Sequence, residues 1–255
     1  MDGISRTDTV CPKLLKANND MIVAGLATVI GREEMARKVI GSILPQVDVL
    51  HVCFSGYLDI PDWAKGNDKL KAETDSMNVL HDCAKFKWVP EYKDAYYFSI
   101  DDDLNYPSNY VEYMLGYIKQ FDNEVVISFH GRTCDYTERN NYCWELDKLT
   151  WFPVLGTGAC AFHTSYITFE VDDFLESMAN SDYMMAVKVA SQNKVSFVIP
   201  KKANFVTELE SVKRQRNGPT CGSYRKRNIY VKRKRELTDI RLLELCRKNG
   251  RNDVK

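Results

Sequence analysis

The sequence has 255 residues, of which 44% are hydrophobic and 27% charged, enough for one α/β domain with a normal core. Its eight cysteines include no CxxC pair, which excludes a zinc framework and a dense disulfide scaffold. Residues 1–20 are too polar for a signal peptide, and no apolar run is long enough to span a bilayer. We therefore expect a reducing, cytoplasmic location.

Formal charge is zero overall but unevenly distributed. The stretch 211–235 contains ten basic residues and no acidic one, which leaves 25 basic and 35 acidic residues for the rest. A basic segment in a chain that is otherwise acidic is typical of a segment that binds an anion. It could be a solvated tail, cover a diphosphate, or contact an anionic acceptor or the surface of a membrane. Tyr224 and Tyr230 interleave with its charges, but we expect no dedicated nucleic-acid partner.

After the polar leader 1–20, the pattern predicts a strand–helix–strand unit. Met21–Thr28 is the first strand, Glu33–Leu44 an amphipathic helix, and Val47–Phe54 a second, mostly apolar strand. Such a unit builds nucleotide-binding sheets by right-handed crossovers. Neither GxGxxG nor GxxxxGK[ST] follows the first strand, so a dinucleotide fingerprint or a P-loop is not expected.

The middle of the chain is predicted as a polar connection over 56–75, a short turn or helix over His81–Phe86, and a buried strand over Tyr96–Ile100. The carboxylates of Asp101, Asp102 and Asp103 follow directly where that strand ends, before a predicted helix over Tyr110–Tyr117. Three acids at a strand end are electrostatically costly unless a cation, such as a divalent metal ion, neutralises them. The alternative is a solvated acidic turn.

The remaining elements are strands over Val125–Phe129 and Val195–Ile199, an amphipathic helix over Ser181–Ala190, and a terminal helix over Arg241–Arg247. A long polar and aromatic loop covers 133–150, and the glycines of 154–163 allow close backbone approach to a ligand. His51 and His163 are expected to be structural. The predicted organisation is a leader (1–20), a catalytic domain (21–210) and a basic C-terminal segment (211–255).

The order of these motifs resembles a known family. An Arg-containing turn after the first strand is followed by Lys-Phe, DDDxxYPxxYV, SFHGR, GTGxxxFHT and an acid that opens a late helix. This order is similar to that of GT-A-fold glycosyltransferases related to family 2, in small bacterial and viral sugar-transfer enzymes, and covers roughly residues 21–203. The resemblance implies a single domain with a Rossmann-like, mostly parallel sheet flanked by helices. The acidic triplet would be the family's DxD motif.

The resemblance also implies roles for individual residues. Asp103 would hold Mn2+ or Mg2+ against the two phosphates of a nucleotide sugar, and Asp101 would contact the nucleotide and is a second candidate metal ligand. The other residues implied in donor binding are Thr28, Arg32, Lys85, Asp102, His130, Gly156, Thr157 and Gly158. Lys85 would lie near the base or the phosphates, although a surface lysine is the general alternative.

The base that takes the acceptor proton is first assigned to Asp182, which opens a predicted helix. Asp172 and Asp173 are the second choice. Ser-Asp stands at 181–182 where the family more often has Glu-Asp, and an acid there also complements the helix dipole. The resemblance leaves inversion against retention open, with inversion expected.

Together these features predict a metal-dependent glycosyltransferase. It would move a sugar from a UDP- or GDP-sugar to a hydroxyl of a glycan, glycolipid or glycoprotein. Two alternatives stay open: a sugar-1-phosphate nucleotidyltransferase, and a non-catalytic module that binds a polyanion through 211–235. The first usually needs a Gly-rich phosphate loop that Ala27–Arg32 does not supply.

Overall fold

A computed structural model describes residues 21–132, 146–170, 173, 180–200 and 205–209 of the chain. Its main feature is a sheet of seven strands. These strands are β1 (Met21–Val29), β2 (Val49–Ser55), β3 (Leu70–Asp75), β4 (Ala95–Asp101), β6 (Val126–Ser128), β9 (Ala159–His163) and β10 (Ser196–Val198). Two short pairs complete the described strands: β5 (Leu104–Asn105) with β11 (Thr207–Glu208), and β7 (Gly131–Arg132) with β8 (Val154–Leu155).

The strand order across the sheet is β3-β2-β1-β4-β9-β6-β10. All neighbouring pairs are parallel except those of β9, which runs antiparallel to β4 and β6. After β1, the chain adds β2 and then β3 on one side of β1. The next strand of the sheet, β4, pairs with β1 on its other side. The direction of winding therefore reverses between β1 and β4, and the carboxyl ends of these two parallel strands lie side by side.

The helices cover the sheet because their apolar residues recur at helical spacing. Helix α1 (Glu33–Ile43) buries Met35, Val39, Ile40 and Ile43, the face that its sequence predicts. Helix α2 is Tyr110–Gln120 and α3 is Ser181–Ser191. A short 3-10 helix spans His81–Phe86. These bounds confirm, within a few residues, the helices predicted before residue 200; the predicted helix Arg241–Arg247 lies outside the described residues.

The core lies on both faces of the sheet, because alternate strand residues point to opposite sides. Leu26 and Phe98 pack in one cluster with residues of α1 and α2. Val23 and Tyr97 pack in a second cluster, with Met184 of α3 and residues of the 3-10 helix. This confirms an α/β fold with a mostly parallel sheet flanked by helices; GT-A itself stays a prediction.

One prediction was wrong: the polar connection 56–75 contains β3, the edge strand. In β3 only Leu70 is buried, and the other residues are partly or fully exposed. Its charged residues Lys71, Glu73 and Asp75 alternate with Leu70, Ala72 and Thr74, so the segment is polar overall and its one large apolar residue is a weak strand signal. The leader 1–20, Asp172, most of the loop 133–150 and the segment 211–255 lie outside the described residues, and the predicted domain limits are not tested. Among the described helices, none has the length and apolar character to cross a membrane.

Candidate functional site

The acidic triplet lies where the winding of the sheet reverses. Asp101 is the last residue of β4 and pairs in register with Ala27 of β1, so the triplet is next to the turn that follows β1. In open α/β sheets, ligands bind in the crevice outside the carboxyl ends of the strands at this kind of reversal. The crevice between β1 and β4 is therefore the candidate site.

Asp102 connects the triplet to the turn after β1. Its Oδ2 atom accepts a hydrogen bond from the Thr28 hydroxyl at 2.7 Å, and its Oδ1 atom accepts one from Arg32 Nη1 at 2.6 Å. The residue is only 3% exposed. The predicted donor-binding residues Thr28 and Arg32 are thus brought to the triplet, where both bind its middle carboxylate.

Asp103 is partly exposed, whereas Asp102 is buried. The Asp103 side chain is 24% exposed, and its Oδ2 atom lies 3.8 Å from Arg32 Nη1. The backbone carbonyl of Asp103 accepts a hydrogen bond from the N–H of Leu209 at 2.9 Å. Leu209, the last described residue before the predicted basic segment, therefore lies beside the acidic triplet.

Asp101 is bound by Lys85, whereas Asp102 is bound by Thr28 and Arg32. The Lys85 ammonium lies 2.5 Å from Asp101 Oδ1 and 2.9 Å from Asp82 Oδ1. Lys85 is 1% exposed, so it is not a surface lysine. Its backbone is fixed by the Tyr97 hydroxyl, which donates to the Lys85 carbonyl at 2.7 Å. Gly25 of β1 permits this packing, because a Cβ atom there would lie 2.0 Å from the same carbonyl oxygen.

Burial and charge act together on this cluster. Burial raises the pKa of Asp101 to about 7, the Lys85 ammonium opposing it. Burial alone would lower the pKa of Lys85, but the charges of Asp101 and Asp82 raise it well above its usual value. Lys85 therefore stays an ammonium ion at neutral pH. Lys85 and Ser181 outweigh burial at Asp82 and lower the pKa of that carboxyl.

The glycines of the Gly156-Thr157-Gly158 turn make room for side chains of the protein itself. A Cβ atom at Gly158 would lie 2.2 Å from Asp101 Oδ2, and one at Gly156 would lie 1.7 Å from His130 Nε2. We expected these glycines to let the backbone approach a ligand; instead, Asp101 and His130 occupy that space. The turn therefore lies against Asp101 Oδ2, whereas Lys85 binds Asp101 Oδ1.

Asp182 is brought to the same turn by the start of α3. Its Oδ1 atom accepts two hydrogen bonds from Thr157, one from the backbone N–H and one from the hydroxyl, both 2.7 Å long. Asn180 begins the helix, since its side chain accepts a hydrogen bond from the N–H of Tyr183. The Asp182 carboxylate therefore has a fixed orientation beside the acidic triplet.

Asp173, the second-choice base, is engaged elsewhere. Its Oδ2 atom lies 2.7 Å from Lys188 Nζ and accepts the N–H of Glu170 at 2.7 Å. Lys188 is six residues beyond Asp182 in α3, or about 9 Å along the helix axis. The structure therefore brings Asp182, rather than Asp173, to the triplet.

Two residues of the cluster were missed by the sequence interpretation. Asp82 Oδ2 accepts hydrogen bonds from the backbone N–H of Ser181, at 3.1 Å, and from its hydroxyl. The Ser181 and Thr157 hydroxyl oxygens are 2.5 Å apart. The spacing of Asp82 three residues before Lys85 could have indicated an ion pair. Ser181 gives no comparable signal.

The protein groups fit a metal ion only in part. Within the described residues, no group of three or more His, Cys, Asp and Glu side chains is arranged to hold one. Lys85 holds Asp101, and both oxygens of Asp102 accept hydrogen bonds. Asp103 could serve as a single ligand, which suits Mg2+ or Mn2+ when phosphate oxygens complete the coordination.

Comparison with known proteins adds no family. The chain matches no model of a known protein family. No curated protein matches it either. The functional interpretation therefore depends on the residues and the geometry described above.

Proposed function

We propose first that the chain is a nucleotide-binding α/β protein whose ligand lies between β1 and β4. More specifically, we propose that it is a glycosyltransferase similar to the GT-A enzymes of family 2. The proposal is supported by the contacts of Asp102, which directly follows β4. Thr28, near the end of β1, and Arg32, in the turn after β1, both bind its carboxylate where the winding of the sheet reverses. The ordered sequence motifs supply the specific reaction.

The reaction creates negative charge on a nucleoside diphosphate leaving group. Arg32 is oriented by Asp102, and its side chain is 35% exposed, so its positive charge is available near the diphosphate. A Mn2+ or Mg2+ ion, held by Asp103 and the phosphate oxygens, would neutralise the remaining charge. The Gly156–Gly158 turn would face the sugar, because it borders Asp101 and Asp182.

Asp182 is the proposed base. A general base must have a defined orientation and an oxygen within hydrogen-bonding reach of the acceptor hydroxyl. The two hydrogen bonds from Thr157 supply that orientation, and Thr157 belongs to the turn that would face the sugar. Asp182 would remove the hydroxyl proton as the acceptor oxygen attacks the sugar, with inversion as the expected outcome.

The test is the release of nucleoside diphosphate from a panel of UDP- and GDP-sugars, with glycan acceptors and Mn2+ or Mg2+. We expect Asp182→Asn to lower turnover roughly 100-fold or more without loss of donor binding. Asp173→Asn is the matched control, since its carboxylate pairs with Lys188, and it should keep turnover within about threefold. Loss of turnover in the control, with normal turnover in Asp182→Asn, would exclude Asp182 as the base.

The same assay distinguishes a glycosyltransferase from a sugar-1-phosphate nucleotidyltransferase. A sugar-1-phosphate nucleotidyltransferase would release pyrophosphate from a nucleoside triphosphate and would not consume a nucleotide sugar in the presence of an acceptor. Binding of a polyanion through 211–235, at a membrane or on an acceptor, is a separate proposal that lies outside the described residues. It predicts strongly salt-dependent binding that does not respond to nucleotide or metal.

A further inference from the structure

Lys85 is the most deeply buried charged side chain at the candidate site. Lysines are almost never fully buried unless they are paired, because removing an ammonium ion from water is costly. Here the ammonium lies between Asp82 and Asp101, at 2.9 and 2.5 Å, and its backbone is fixed by Tyr97. The position of the charge is thus determined from both ends of the residue.

A closed ring of contacts passes through this ammonium. Asp82 binds Ser181 at the start of α3, and the Ser181 hydroxyl touches that of Thr157. The next residue, Gly158, accepts the N–H of Asp101 at its carbonyl, at 3.2 Å. Asp101 and Asp82 both bind the Lys85 ammonium, which closes the ring. The ring unites the 3-10 helix, α3, the glycine turn and β4.

We propose that the Lys85 ammonium is the permanent cation of this ring and takes the place that a divalent ion has in a metal centre. Asp101 is then a structural partner of Lys85 rather than a metal ligand, and Asp103 stays the candidate ligand for an incoming ion. The wild-type chain, without nucleotide, should take up no divalent ion between Asp82 and Asp101. Lys85 is thus a positioning residue.

The arrangement of the two carboxylates supports this role. One oxygen of each lies within 2.9 Å of a single point, the Lys85 nitrogen, so an ion at that point would be near both. Oxygen ligands lie about 2.0–2.6 Å from Mg2+ and Ca2+, which requires only a small inward movement. The second oxygens are constrained as well: Ser181 binds that of Asp82, and the backbone at Gly158 borders that of Asp101.

The experiment replaces Lys85 by a neutral side chain of similar length. In EDTA, Lys85→Met should melt roughly 10 °C below the wild type, because two carboxylates lose their counter-ion. Addition of 1 mM Mn2+ should raise the Tm of this variant by roughly 5 °C and that of the wild type by less than about 1 °C. Electron paramagnetic resonance of Mn2+ should show at least about tenfold tighter binding to the variant.

A second variant separates loss of charge from loss of packing. Asp82→Asn/Lys85→Met removes one charge of each sign, so it should melt above Lys85→Met in EDTA and gain nothing from Mn2+. This comparison remains informative if the single variant does not fold. Equal stability of the two variants, or equal stabilisation of wild type and Lys85→Met by Mn2+, would overturn the proposal. No nucleotide is present, so the result does not depend on the proposed sugar transfer.

Discussion

Substitution of Asp102 by asparagine tests the division of roles within the triplet. An amide keeps one acceptor oxygen, so either the Thr28 hydroxyl or the Arg32 guanidinium loses its partner in a position that is 3% exposed. Loss of such a bond costs about 2 kcal/mol, the Arg32 part being reduced by solvent screening. For a chain of this size the Tm should fall by about 4–8 °C.

Asp103→Asn is the matched control, since the same chemical change falls one residue away on a side chain that is 24% exposed. Its unfolding free energy should change by no more than about 0.5 kcal/mol. Urea unfolding followed by circular dichroism measures both variants, and nucleotide binding with Mn2+ should be lost in Asp103→Asn. If the two variants were equally destabilised, the distinction between an anchoring and an exposed carboxylate would be refuted.

Two further predictions concern glycines and a histidine. Gly156→Ala should lower the unfolding free energy by about 2 kcal/mol or more, because its Cβ atom would overlap the His130 ring. Gly41→Ala, in the interior of α1 and with open space around it, should raise the unfolding free energy by about 0.5–1 kcal/mol. Thermal unfolding in which both variants lose stability would contradict this prediction. Burial lowers the pKa of His51 to about 4, so the unfolded chain binds the proton more strongly than the folded chain does. The unfolding free energy should therefore fall by up to about 3 kcal/mol as the pH is lowered from 6.5 towards 4. His51→Gln should remove this part of the pH dependence, and curves that remain parallel from pH 7 to 4 would exclude it.

The sequence was most informative where apolar residues set the local structure. The strands that became β1, β2 and β4, and the helices α1 to α3, were predicted because each has a continuous apolar run or a helical apolar stripe. The placement of Asp101 at a strand end followed from the same pattern. The edge strand β3 was missed because alternate charged residues make the segment polar overall, and Leu70 is its only buried residue.

The roles within the site could not be read from the sequence, since three adjacent aspartates are chemically identical until their partners are known. Asp102 differs from Asp103 because Thr28 and Arg32, which are 74 and 70 positions away in the sequence, bind it across the sheet. The pairing of Lys85 with Asp101 is likewise tertiary. The need for glycine at 158 comes from the side chain of Asp101, which only the fold brings there.

The central claim is that the crevice between β1 and β4 binds a nucleotide sugar. Its most direct test is a thermal-shift panel on the wild-type chain, with nucleoside diphosphates and their sugars in Mn2+, in Mg2+ and in EDTA. A ligand that binds only the folded state raises the Tm by mass action. We expect one nucleoside diphosphate and its sugars to stabilise the chain in the presence of metal. If no nucleotide or nucleotide sugar shifts the Tm under any of these conditions, the account is contradicted.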